Sequence, residues 1–154
     1  MSTRETFKNL LLTRGYTPET EESNMFEKTF VESEVDYIDF VTTKNGISET
    51  IYCADIPEEL AEGNFWFEFV DGEDNQRWGN LTPATYVIEV VGKKLYNIKF
   101  KAVKRYLVEN IEEYFETQIP LDKKNPRGGY ILGYAIPVEE LVQLKLATEV
   151  ATLK

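Results

Sequence analysis

Hydrophobic positions near the start of the chain fall at helical spacing. Phe7, Leu10 and Leu11 stand at i, i+3 and i+4, and Gly15 follows to end the run, which predicts a helix over 4–14. The period then shortens. EVDYIDFVTT alternates Val35, Tyr37 and Phe40/Val41 around acids, KNG at 44–46 supplies a hairpin turn, and ISETIYCADI continues as its antiparallel partner. Ile56-Pro57-Glu58-Glu59-Leu60 reads as a helix start of barely two turns before Gly63. Aromatic-rich runs at 64–70 and 85–91 predict two strands at the centre of the sheet, and Gly92-Lys93-Lys94 turns the second into LYNIKF. Helical spacing returns over 101–118, where Val103, Tyr106/Leu107, Asn110/Ile111 and Tyr114 share a face. GYILGYAIP reads as a final strand and VEELVQLKLATEV as a closing amphipathic helix. This order gives an α/β class in the α+β style, with a central mixed or antiparallel sheet of about five strands flanked by helices. One domain is expected over 1–154, with an acidic connector at 17–24 and a basic loop at 121–129.

Composition narrows the chemistry. The chain is 42% hydrophobic and 13% aromatic, so it has the material for a core despite a net charge of −10. No apolar run reaches the length of a membrane span and no export signal is recognisable, so the expectation is a cytoplasmic protein without a membrane partner. Cys53 is the single cysteine and there is no histidine, which removes internal disulfides, zinc motifs and imidazole or Cys-His catalysis. Charge is uneven. Residues 1–62 hold 14 acids and 5 bases, 63–91 hold 5 and 1, and 92–129 reverse the sign with 9 bases against 5 acids. Those bases include Lys93, Lys94, Lys101, Lys104 and Arg105, interleaved with Tyr96 and Phe100, a pattern suited to phosphate contacts with aromatic stacking. The same residues at the start of the 101–118 helix oppose its dipole, a strain that an anion would relieve.

Carboxylates on strands beside a turn can hold a hard divalent cation. Asp36 and Asp39 on one strand, Glu49 on its hairpin partner and Glu68 on the next are the acids able to converge. Trp66 and Trp78 read as core or loop-packing residues and Cys53 as core, with Trp78 beside Arg77 a candidate interaction anchor if it is exposed.

The wording of 36–107 resembles the phage-type branch of the PD-(D/E)XK nuclease superfamily. The resemblance rests on Asp39 in DYIDFV, on ISETIYCADI, on Gly63, Asn64 and Glu68 in GNFWFEF, on Gly79, Thr82, Ala84 and Tyr86 in WGNLTPATYVIEV, and on LYNIKFKAVKRYL. GYAIPVEELV is similar to the strand and helix with which such proteins often finish. The resemblance implies a restriction-endonuclease-like fold. It also implies an Asp, a Glu-x-Lys pair and Mg²⁺ or Mn²⁺ activating the water that cleaves a phosphodiester. Carried over, Asp39, Glu49 and Glu68 are the catalytic and metal-binding candidates, with Asp55 an alternative second acid. The motif lysine is absent, since Ile51 stands two residues after Glu49, and Lys44 or Lys99 would have to supply a migrated amine. The expectation is a DNA-processing or DNA-binding protein with impaired or absent cleavage. Two alternatives follow from composition. One is an acidic DNA mimic that inhibits a nucleic-acid-binding host enzyme such as a restriction or CRISPR system. The other is an accessory protein that forms homo-oligomers through its strand edges.

Overall fold

The computed structural model describes residues 2–57, 63–114, 116–120 and 129–153. It is a mixed α/β fold in which a multi-stranded sheet is flanked by helices. Helix α1 (Thr3–Thr13) opens it. Ser2 caps the helix by accepting from Glu5 N, and Gly15 (φ 86°) takes the left-handed turn that ends it. Next come β1 (Thr17–Pro18), β2 (Thr29–Glu32), β3 (Phe40–Lys44), β4 (Ile47–Ala54), β5 (Asn64–Asp71) and the single-turn helix α2 (Trp78–Leu81). They are followed by β6 (Tyr86–Val91), β7 (Lys94–Lys99), α3 (Phe100–Glu109), β8 (Thr117–Pro120), β9 (Tyr130–Pro137), α4 (Val138–Gln143) and β10 (Ala147–Thr152).

Among the described residues ten strands form two sheets instead of one sheet of about five. The larger has the order β1-β2-β3-β4-β6-β7-β10 and the smaller β5-β9-β8. The larger is mixed, with β1/β2 and β4/β6 parallel and its other neighbours antiparallel. The β3/β4 hairpin turns as the KNG signal predicts, since Asn45 (φ 53°) and Gly46 (φ 75°) both take the positive φ of a tight two-residue turn.

Strand β6 explains the layering. Its residues YVIEVV form a nearly unbroken apolar run because both faces are covered. Ile88 faces one core with Phe7 and Leu11 of α1, Phe40 of β3, and Ile51 and Cys53 of β4. Val87 and Val91 face the other, with Phe65 and Phe67 of β5, Trp78 of α2, and Phe100, Val103 and Leu107 of α3. The larger sheet is thus sandwiched between α1 on one face and the smaller sheet with α3 on the other.

Several sequence expectations change. The runs at 64–70 and 85–91 are strands but not neighbours, because β5 pairs with β9 and β6 sits between β4 and β7. The helix expected over 101–118 ends at Glu109, gives way to a 3₁₀ turn at Ile111–Glu113 and becomes strand β8. The closing helix lasts only to Gln143; Lys145 takes φ 61°, and ATEVAT pairs with β7. In the first of these, Asn110 leaves helical geometry (φ −124°) and its side chain bonds back to Tyr106 O, ending the helix before its period runs out. The strand expected from residue 35 starts at Phe40, because Tyr37 at φ 62° interrupts it, and Thr29–Glu32 adds a strand not anticipated. The short helix expected near 56–60 and the basic loop 121–129 lie largely outside the described residues.

Candidate functional site

Asp39 immediately precedes β3 and is fixed by its backbone, whose N–H donates to Ile51 O (2.8 Å) and whose carbonyl accepts from Ser33 N (2.9 Å). Its side chain is equally committed. Oδ2 accepts from Cys53 N at 2.7 Å, and Oδ1 lies 3.4 Å from Arg4 Nε of α1. Burial raises the Asp39 pKa, against which the Cys53 N–H and Arg4 act, with the nearby Asp55 raising it further. Asp55 in turn accepts from Thr3 N at the start of α1 (2.9 Å).

Glu68, on β5, is buried and also engaged. Oε1 accepts from Trp66 Nε1 (3.1 Å), and Oε2 takes a forked pair from Arg77 Nε (3.3 Å) and Nη2 (3.2 Å). A guanidinium held this way satisfies one carboxylate oxygen with two donors. Gly79 brings these segments together: a Cβ there would stand 2.2 Å from Glu68 O, so only glycine allows α2 to lie this close to β5.

Tyr52 of β4 shares a cavity with Glu68 and precedes Cys53, whose N–H holds Asp39. Its ring is 5.4 Å from Trp78 and 6.2 Å from Tyr37, centroid to centroid. Burial pushes its phenol pKa up, followed by the charges of Asp39 and Glu68, so the hydroxyl stays protonated. Tyr37, Tyr52, Glu68, Gln76, Arg77 and Trp78 line a cavity of about 160 Å³. The unusual backbone of Tyr37 is held in place by Thr82 Oγ1, which donates to its carbonyl (2.6 Å).

The structure therefore puts Glu68 in one cavity with Tyr52 and ties Asp39 to the backbone of the adjacent Cys53, and it leaves Glu49 elsewhere. Glu49 shares the α1-facing side of β4 with Ile51 and Cys53, and it lines a separate cleft with Phe7 and Leu11. Asp36 is exposed in the turn before β3. On the face of β4 toward Trp78, the residues two apart beside Asp39 are Tyr52 and Ala54, neither of which can ligate a cation or act as an ammonium. Among the described residues no group of three or more acid or cysteine side chains is placed to hold a metal ion. Asp39 and Glu68 each already accept from fixed protein donors.

The basic residues divide into two groups. Lys93 and Lys94 lie at the β6/β7 turn, with Lys94 paired to Glu149 at 3.3 Å. Lys101, Lys104 and Arg105 lie on α3, beyond the other end of the six-residue β7, roughly 20 Å away at about 3.3 Å per residue. Lys104 sits 5.1 Å over the Phe100 ring, while Lys101 and Arg105 are exposed. Tyr106 and Tyr114 pack at the edge of the core and both donate to Glu140 Oε2. Trp78 is a core residue, not an exposed anchor. The acidic loop at 71–75 is a self-bonded turn in which Asp71 Oδ1 accepts from Glu73 N and Asn75 N.

Sequence reasoning passed over Arg4, Tyr52 and Glu89. The signal for Glu89 was present, since it is the one charge inside YVIEVV. It is fully buried on β6, where Oε1 accepts from Trp66 N (2.9 Å) and Oε2 has no partner among the described residues. Burial holds its pKa well above the ordinary glutamate value and the Glu68 charge adds to this, with the Trp66 N–H acting in the opposite direction.

Set against protein-family models, curated proteins and solved structures, the chain matches none. Its class rests on its own geometry: a mixed α/β sheet protein with two internally satisfied carboxylates flanking an aromatic cluster. No helix among the described residues is long and apolar enough to cross a membrane.

Proposed function

We propose that this chain is a nuclease-like protein in which phosphodiester cleavage is absent and a nucleic-acid-related binding role remains. The observation that carries the reading is Tyr52, which shares a cavity with Glu68 and precedes the Cys53 N–H that holds Asp39, with Ala54 two residues beyond it on the same face of β4. An Asp before one strand and an acid-x-lysine pair on the next is the arrangement that the resemblance implies. Here the pair is a tyrosine and an alanine, so no ammonium polarises a water, and the flanking acids are neutralised by Arg4 and Arg77. A restriction-endonuclease-like form of the fold belongs to the same proposal, supported by the meander β2-β3-β4, the parallel step to β6 and the helix α3 after β7.

DNA contact falls to α3, whose exposed Lys101 and Arg105 stand in its first turns. A DNA duplex followed by fluorescence anisotropy at 50 and 200 mM NaCl tests it. Binding weakens with salt, and Lys101→Glu with Arg105→Glu reduces affinity by at least about tenfold, because two phosphate contacts become repulsions. Salt-independent binding, no binding at the lower salt, or an unaffected double variant overturns the assignment.

A second reading has its own observation. Glu19, Glu21, Glu22, Glu27, Glu34 and Asp36 are all exposed at the β1/β2 end of the larger sheet, beside the exposed side chains of Met25 and Phe26. Such an edge suits the basic cleft of a nucleic-acid-binding protein, as an inhibitor that mimics phosphate charge would. In this reading the protein displaces DNA from such an enzyme and does not itself shift the anisotropy of labelled DNA.

A further inference from the structure

The face of the larger sheet opposite Tyr52 carries a cleft beneath α1 with a different chemistry. Its volume is about 280 Å³, near the lower end of the usual range for small-molecule sites, roughly 300–1,000 Å³. The floor is apolar, with Phe7 and Leu11 from α1 meeting Ile51 and Ile88 from the sheet. The rim is cationic: Arg14 at the end of α1, Lys28 before β2 and Lys44 at the end of β3 all line it, with Glu49 as the one carboxylate. This inverts the sign of a chain whose net charge is −10.

These cations are not neutralised by carboxylates among the described residues. Among the described residues none of the three forms an ion pair. Arg14 donates to the Val150 carbonyl, and Lys28 donates to the Arg14 carbonyl at 3.3 Å while lying 5.8 Å over the Tyr16 ring. A second feature points the same way. Asn97 of β7 lines the cleft, and its side-chain oxygen is buried without a donor among the described residues. A buried acceptor left unpaired costs about 1–3 kcal/mol, a cost that a ligand N–H or O–H would remove.

We propose that this cleft binds a small organic anion: an apolar, flat body carrying a hydrogen-bond donor, with its anionic group at the Arg14–Lys28–Lys44 rim. The apolar body replaces water over Phe7, Ile51 and Ile88, the donor reaches Asn97 Oδ1, and Glu49 disfavours a second negative charge near the floor. The site is independent of the Asp39–Tyr52–Glu68 face and of any nucleic-acid role, since the body of the sheet separates them.

The probe 8-anilinonaphthalene-1-sulfonate has all three features: a fused aromatic body, an anilino N–H and a sulfonate. Titrated into the folded full chain, it gives a saturable one-site fluorescence increase. Lys44→Glu and Lys28→Glu, both at exposed positions, each raise its Kd at least tenfold. Lys104→Glu, beside the apolar groove of Phe69, Leu107 and Ile111, leaves the Kd unchanged. No saturable binding, an unchanged Kd in both cleft variants, or loss of binding in Lys104→Glu overturns the proposal.

Discussion

Gly133→Ala is expected to destabilise the protein by about 3 kcal/mol or more, read as a fall in the urea midpoint. Gly133 is the residue of β9 that pairs with Glu68 on one side and Thr117 on the other, so it holds the middle of the smaller sheet. A Cβ there would stand 2.2 Å from Phe67 O and 2.8 Å from the Trp66 ring. Neither can yield cheaply. The first is backbone in the β5/β9 ladder, and the second is a fully buried indole whose Nε1 bonds Glu68. Gly92→Ala provides the contrast, because nothing lies within 4 Å of its Cβ and only its φ of 62° is strained. That variant is expected to lose only about 1 kcal/mol. Equal losses in the two variants would mean that β9 does not approach β5 this closely.

Glu89→Gln is expected to make the protein more stable than wild type at pH 8 and to lose most of that advantage at pH 4.5. In the unfolded chain the Glu89 carboxyl titrates at an ordinary value, about 4.3. In the fold, burial raises its pKa well above that. A raised carboxyl contributes its full stability below the unfolded pKa and loses it as pH rises toward the folded pKa, at about 1.4 kcal/mol per pH unit. Glutamine keeps an acceptor for Trp66 N and does not titrate, so the difference between variant and wild type grows with pH across that window. Urea unfolding at the two pH values measures it. A difference that stays constant, or that shrinks as pH rises, would mean that Glu89 does not carry a raised pKa in the fold.

Local signals in the sequence located many elements and few of their partners. Apolar spacing around Phe7 and Leu11 gave α1, and Asn45-Gly46 gave the β3/β4 turn, because both depend on residues within a few positions. Pairing depends on the whole chain. GNFWFEF and TYVIEVV look like neighbours, but Phe65 and Phe67 pack face to face against the layer containing Val87 instead of hydrogen-bonding beside it. VEELVQLKLATEV carries a helical period throughout, yet its second half pairs with the free edge of β7, an opportunity no local pattern displays. For the site, Asp39 and Glu68 were legible as acids beside turns. Glu49 was not separable from them, since its position on the α1 side follows from the register with Thr42. Tyr52 drew no notice because an aromatic in a strand reads as core, and only the fold puts it in one cavity with Glu68.

The proposed loss of cleavage is tested most directly by titrating Mn²⁺ into the wild-type chain and into Tyr52→Glu by isothermal calorimetry. The account predicts no saturable binding to wild type, where Arg4 and Arg77 hold the two acids, and one weak site in Tyr52→Glu, where a third carboxylate joins Glu68 in one cavity next to the strand position that holds Asp39. Saturable Mn²⁺ binding to wild type that Asp39→Asn abolishes, or no site in Tyr52→Glu, would contradict it.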